Sequence, residues 1–220
     1  MTSLLEALDW VLTADSWTGP GGLGVRAGEH LLYSLLAVGL SALVALPAGL
    51  FIGHTGRGRG IAVVSTGVTR ALPTLGVITL VALAAGIGLT APMVAFIVLA
   101  VPSILAGAYS GVEAVDPQIV DAARAQGMSP RQVLLGVEVP LGLRLILGGV
   151  RLATLQVVAT ATLAAYVGAG GLGRPLFLGL RNHDYAMMLG ASIVVILLAV
   201  VLDALFALGQ RLLARRPGTA

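Results

Sequence analysis

At 220 residues, 57% of them hydrophobic and only 10% charged, the chain has a mean hydropathy of +0.98. An ordinary soluble domain carries roughly 25% charged residues, so the composition excludes one and places the chain among membrane proteins. The net charge of +3 comes from arginine alone, with no lysine, and the arginines flank apolar runs instead of forming a basic stripe with interleaved aromatics. Nucleic acid is therefore not an expected partner. With no cysteine there is neither a disulfide framework nor a thiolate metal site.

In chain order, the N-terminus carries Glu6, Asp9 and Asp15 without a positive leader, so it is no secretory signal. It is expected to be a short amphipathic segment ending in the flexible run Gly19-Pro20-Gly21-Gly22. A bilayer crossing needs about 20 apolar residues of helix. The first such run is 31–53, with Pro47 a kink inside it. The next, 61–89, is too long for one simple span and contains Arg70 and Pro73. Proline removes a donor and disfavours helix just before it, so 61–70 is expected at the interface and 72–88 as the crossing. Further spans are expected at 92–112, 141–167 and 186–208. Arg144 and Arg151 put the first turns of the fourth at the interface or against protein. Five spans result, or six if the break at Pro73 separates two true crossings.

The arginines orient this scheme. Arg57 and Arg59 follow span one, Arg124 and Arg131 lie between spans three and four, and Arg211, Arg215 and Arg216 end the chain. Five spans put all three groups on one side, which the positive-inside rule makes cytoplasmic. The N-terminus, the Leu89-Thr90-Ala91 turn and the Arg174–Asp184 loop are then outside, where Arg174 and Arg181 are a mild exception.

The segment 116–140 is the one polar insert between long apolar runs. Asp116 is placed to cap a first helix with Pro117 at its first position, and Gly127 to stop it in the left-handed conformation. Ser129 with Pro130 starts a second helix, Gln132 completes a capping-box pattern, and Pro140 is expected to end or redirect that helix. Ile119, Ala122 and Ala123 give the first helix an apolar side that needs another surface. Physical chemistry alone leaves two candidates open: a groove in a soluble partner, or the lipid headgroups with Arg124 and Arg131 as anchors.

The insert resembles the EAA loop of ABC-importer permeases, whose pattern is Glu-Ala-Ala, three residues, Gly, nine residues, Ile-x-Leu-Pro. Asp121-Ala122-Ala123, Gly127 and Pro140 fall at that spacing, with Val137 and Val139 in the aliphatic places. Asp121 replaces the glutamate and valine both aliphatics. Gly28-Glu29-His30-Leu31, Leu72-Pro73-Thr74-Leu75, and Ala161-Thr162-Leu163 running into Gly168-Ala169-Gly170-Gly171-Leu172-Gly173 resemble the branch that handles glycine betaine, choline and carnitine. Methionine-type importers share much of that layout. The resemblance extends from 28 to 210.

It implies an all-α polytopic protein of the type I ABC-importer permease fold, in a bacterial plasma membrane, with an extracytoplasmic segment 1–27, a permease domain 28–213 containing the coupling loop 116–140, and a cytoplasmic tail 214–220. It assigns ATPase coupling to Asp121, Ala122, Ala123, Gly127, Val137, Val139 and Pro140. The implied partners are a separate ABC ATPase, a second permease subunit (a copy or a paralogue) and an external solute-binding protein. The chain is then a transport subunit and no enzyme, with ATP and magnesium used by the ATPase and no cofactor of its own. A phosphate-binding loop of the form G-x-x-x-x-G-K-[ST] is impossible without lysine. The implied motion carries the insert and its attached spans three and four from inward-open to outward-open.

Other signals weigh less. Gly168, Gly170 and Gly173 spell G-x-G-x-x-G without the strand, helix and acidic residue of a dinucleotide site, so a tight outer turn is expected. Gly49 with Gly53, and Gly107 with Gly111, match the small-residue packing motif and are expected to serve ordinary close helix packing. Of the intramembrane polar residues, Gln156, Thr160 and Thr74 are candidates to line the pathway. Arg70 and Asp203 are explained by snorkelling or a salt bridge. His30, His54 and His183 have no metal-ligand spacing. Aromatics make up only 5% of the chain, too few for an expected cation cage, so recognition is assigned mainly to the binding protein. The alternatives are another small solute such as methionine, or an ATP-independent transporter or channel, for which internal repeats and paired broken helices would speak. No repeat is found, and only span two is broken by its sequence.

Overall fold

The computed structural model describes residues 2–214, the side chains of 2, 61, 65, 68–70 and 214 excepted. Ten α-helices follow one another among the described residues: α1 (Thr2–Leu12), α2 (Leu23–Thr55), α3 (Arg59–Ala71), α4 (Thr74–Ala85), α5 (Thr90–Glu113), α6 (Pro117–Ala125), α7 (Pro130–Val133), α8 (Val139–Thr160), α9 (Gly173–Asn182) and α10 (Tyr185–Ala214). A π turn, Leu134–Glu138, joins α7 to α8, and a 3-10 segment, Ala161–Val167, extends α8.

Four helical runs among the described residues are long and apolar enough to cross a bilayer: Leu23–Thr55, Thr90–Glu113, Pro130–Val167 and Tyr185–Leu213. The second expected crossing is a shorter apolar helix, α4, of 12 residues. At 1.5 Å per residue it spans about 18 Å of a hydrocarbon layer near 30 Å. Pro73 sets its start and Gly86, at φ 85°, its end. The segment before it is a helix of its own, α3, and Pro47 lies inside an unbroken α2. The side chain of Arg70 and the tail arginines Arg215 and Arg216 fall outside what is described.

Two compact units divide the described chain, and several long helices contribute to both. The first comprises 1–37, 72–97 and 154–202. Its core joins Leu23, Leu172, Val194 and Val195 to Trp10, Val11, Ala27 and Leu198, so α1 is packed on protein. The first unit also explains the glycine-rich turn after span four. Gly171 adopts φ 85° and its N–H donates to the Glu29 carboxylate at 2.8 Å, while Arg26 donates to the same carboxylate at 2.9 Å. Arg174 holds the other side of the turn, donating to Gly168 O at 2.8 Å and Ala169 O at 3.0 Å. His30, fully buried, bonds through Nε2 to Val158 O at 2.9 Å. The Glu29-His30 pair before span one and the glycine turn after span four are thus halves of one packed unit. The turn is the tight loop expected.

α4 packs against the 3-10 segment, and Gly88 N–H donates to Val167 O at 2.9 Å. The sequence shows one broken span, at Pro73; the structure adds a second in the last turns of span four. A 3-10 stretch has poorer hydrogen-bond geometry than an α-helix, and irregular backbone at membrane depth persists only inside protein or beside water. Ala161, Ala164 and Val167 are accordingly buried.

The second unit comprises 38–71, 98–153 and 203–220. Glycines let α2, α5 and α8 touch through backbone. A Cβ at Gly49 would lie 2.6 Å from Ala108 Cβ, and one at Gly53 2.7 Å from Val112 Cβ. One at Gly107 would lie 2.6 Å from Gly149 Cα, and one at Gly111 2.8 Å from Gly142 O. Both small-residue motifs therefore act within the chain, as close packing. Arg151 forms a two-pronged pair with Asp203, at 2.7 Å and 2.8 Å, and reaches Gln210 Oε1 at 3.3 Å. A salt bridge, not snorkelling, accounts for Asp203.

Two predictions follow from the second unit. Gly107→Leu forces backbone apart, and overpacking of this kind costs about 1–3 kcal/mol. It will lower the melting temperature in detergent by several degrees, whereas Gly39→Ala, whose Cβ meets nothing within 4 Å, will not lower it. Removing either member of the ion pair leaves a lone charge in a membrane span. Arg151→Leu and Asp203→Leu will each reduce folded yield, measured by size-exclusion chromatography, more than the double substitution does.

Candidate functional site

The insert folds on its own small core in the second unit. Val115, Val120, Ala123 and Val133 are buried together, with Met128, Val137 and Leu141 packed against them. The ends of its helices are closed as the residue types demand. Asp116 Oδ1 accepts from Gln118 N–H at 2.9 Å, with Pro117 behind it, where a missing N–H is harmless. At the far end Gly127 sits at φ 84°, its N–H bonds to Arg124 O at 2.9 Å, and Met128 N–H bonds to Ala123 O at 3.3 Å. That is the paired-bond C-terminal stop that only glycine enters without strain. Ser129 N–H donates to Gln132 Oε1 at 2.7 Å in the capping box that opens α7.

One expectation is corrected. Pro140 does not end the second helix; helical structure runs on from α7 through the π turn into α8. Proline lacks the N–H that an α-helix would use at this point, and a widened i→i+5 turn beforehand absorbs the irregularity without breaking the rod. The buried positions record the change of period: Val133 and Glu138, five apart, both face inward.

The seven residues expected to couple to an ATPase separate into two sets. Asp121, Ala122 and Gly127 are exposed, and no heavy atom lies within 4 Å of where a Gly127 Cβ would sit. Asp121 pairs loosely with Arg124 at 3.4 Å, both side chains mostly in solvent. Ala123 is buried, Val137 packs on the insert core, and Val139 and Pro140 are half-buried where the insert becomes α8. The apolar side read from Ile119, Ala122 and Ala123 is thereby divided: Ala123 turns inward with Val120, while Ile119 and Ala122 stay in water. Beside them opens a cleft of about 430 Å³, lined by Val115, Ile119, Pro140, Leu141, Arg144 and Gln210 among others.

The three pathway candidates all lie in the first unit. Thr160 Oγ1 bonds back to Gln156 O at 2.9 Å and Val157 O at 3.2 Å, which occupies its hydroxyl within its own helix. Thr74 opens α4, and both it and Gln156 are half-buried.

The sequence reading missed the anchors of the insert. Glu138 is only 4% exposed, and its Oε2 lies 2.6 Å from His54 Nδ1 at the end of α2. Arg59 at the start of α3 lies 3.5 Å from Glu113, the last residue of α5. A signal for the first was present. Glu138 is the sole charge between Arg131 and Arg144, and a carboxylate in an apolar run demands a partner.

Comparison with known proteins agrees with this architecture. Residues 45–218 match the family model for the binding-protein-dependent transport system inner membrane component. The glycine betaine/carnitine/choline transport system permease protein OpuCB of Bacillus subtilis (strain 168) is 31% identical over 194 residues, covering 88% of this chain and 89% of that one. The carnitine transport permease protein OpuCB of Listeria monocytogenes is 34% identical over 186 residues, covering 84% of each. Among solved structures, an inward-facing form of the MetNI methionine ABC transporter superposes with a TM-score of 0.77 at 21% identity, over 88% of this chain and 97% of that one. Its fold is the type I ABC-importer permease fold. Four helical runs among the described residues are long and apolar enough to cross a membrane, and the chain belongs to the family of binding-protein-dependent transport system inner membrane components.

Proposed function

We propose that this chain is the membrane-spanning subunit of an ATP-driven importer for a quaternary ammonium osmoprotectant such as glycine betaine, carnitine or choline, and that its insert is the surface on which a separate ATPase docks. The observation that carries the docking role is the division of the insert into a self-contained core and an outward face. A hairpin lying in headgroups would turn its apolar side to lipid. Here Val120, Ala123 and Val133 are spent on the insert's own core, and the outer face presents Asp121, Ala122 and Ile119 beside a cleft. That suits a protein groove. The cargo class is supported by the relatives, whose names describe glycine betaine, carnitine and choline transport.

The complete machine would contain a second permease subunit, a pair of ATPases holding ATP and magnesium, and an external binding protein that selects the cargo. Gln156 and Thr160, both half-buried near the end of α8, are the pathway candidates on that span. Thr74, at the start of the short helix α4, is the candidate on the opposing broken span.

The test is uptake of glycine betaine into vesicles holding this chain, its partner ATPase and its binding protein. Uptake is expected only with ATP on the ATPase side; uptake that persists without ATP would sink the proposal. Substitution at Gly127 probes the docking role. A side chain in the left-handed region costs about 1–2 kcal/mol, and aspartate adds a charge to an exposed position with no heavy atom within 4 Å of its Cβ. Gly127→Asp should therefore lose ATPase co-purification and transport together while still inserting in the membrane. Ala122→Arg, which changes only the exposed face, should do the same. Retention of both properties by both variants would refute the assignment.

A further inference from the structure

The exposed face of the insert explains where a partner sits, but not why Glu138 is buried. Between Val133 and Leu143 every other residue is apolar or glycine apart from Pro140, and Glu138, the last residue of the π turn, faces inward. Its carboxylate accepts from His54 Nδ1 at 2.6 Å, with the two side chains 14% and 5% exposed. Short bonds of this kind between ionisable partners are the strong ones. They are costly to break inside protein, because each group is left unpaired. His54 is the penultimate residue of α2, the first span. The chain then turns at Gly56 and Gly58, both at positive φ, and starts α3 with Arg59, which reaches Glu113 just ahead of the insert. The end of the first span is therefore held at both ends of the insert: loosely at Glu113, on an exposed arginine, and tightly at Glu138.

From this we infer that His54 and Glu138 are positioning residues that make α2 move with the insert. Spans three and four follow the insert because the chain connects them to it. The first span has no chain connection to the insert; it packs on α5 at Gly49 and Gly53, and the His54–Glu138 bond ties its end to the insert itself. The pair touches neither cargo nor ATPase; it acts through the position of α2. The π turn belongs to the device, since it aims Glu138 at His54. The inference rests on the reading of the insert as the docking element for an ATPase.

The chain's lack of cysteine makes a direct test possible. Transport and ATP hydrolysis are measured together in vesicles with cysteine-free partner subunits. His54→Gln and Glu138→Gln should each keep ATPase co-purification and hydrolysis but move less glycine betaine per ATP. The expected fall is roughly 2- to 30-fold, the effect of weakening one coupling contact. The double variant His54→Cys/Glu138→Cys should show the same loss, and a short, reducible bis-methanethiosulfonate linker across the two thiols should restore transport per ATP until reductant is added. Unchanged coupling in both glutamine variants would overturn the inference. So would a linked protein that hydrolyses ATP yet transports no better than its reduced form. Failure of the unsubstituted chain to retain the ATPase would instead overturn the docking reading beneath it.

Discussion

Polar groups inside a membrane protein must find their partners within the protein, because the surrounding hydrocarbon offers none. Most of what distinguishes this chain follows from how it meets that constraint. Arg151 is neutralised by Asp203 and further held by Gln210. Glu29 collects an arginine and a backbone N–H from a loop more than a hundred residues away. Glu138 is paired with His54. Each pair joins segments that sequence separates, so the cost of burying charge is converted into specific tertiary links. An apolar contact slides easily; a charged pair within 3 Å does not.

The other resource of the fold is glycine. Where α2, α5 and α8 meet, missing side chains let backbones approach until even a methyl group would collide. Dispersion between closely packed helices replaces the hydrophobic drive that lipid cannot supply. The contacts fall in the same unit as the insert, so the insert is mounted on closely packed helices.

The first unit is built differently. Two of its elements, α4 and the 3-10 segment, are short or irregular, and they pack against each other. The same unit holds Thr74, Gln156 and Thr160 and the glycine turn clasped by Glu29 and Arg174. Broken helices leave backbone groups free to bond with something other than their own turn, which suits a region where solute passes.

The sequence by itself determined the membrane class, the order of the long apolar helices, and the insert with its caps at Asp116 and Ser129 and its stop at Gly127. These are local properties: hydropathy over a window, and residue types whose preferences act within three or four positions. It also carried the EAA-type spacing that led to the family. Tertiary structure decided what depends on distant neighbours. It divided the insert into a buried side at Val120, Ala123 and Val133 and an outward side at Ile119, Asp121 and Ala122. It carried helix past Pro140 by way of a π turn, and left at the expected second crossing only the 12-residue helix α4. It gave His54, one of three histidines scattered through the sequence, a partner 84 residues away. No window of sequence contains both members of such a pair, because burial and proximity are set only when the helices pack.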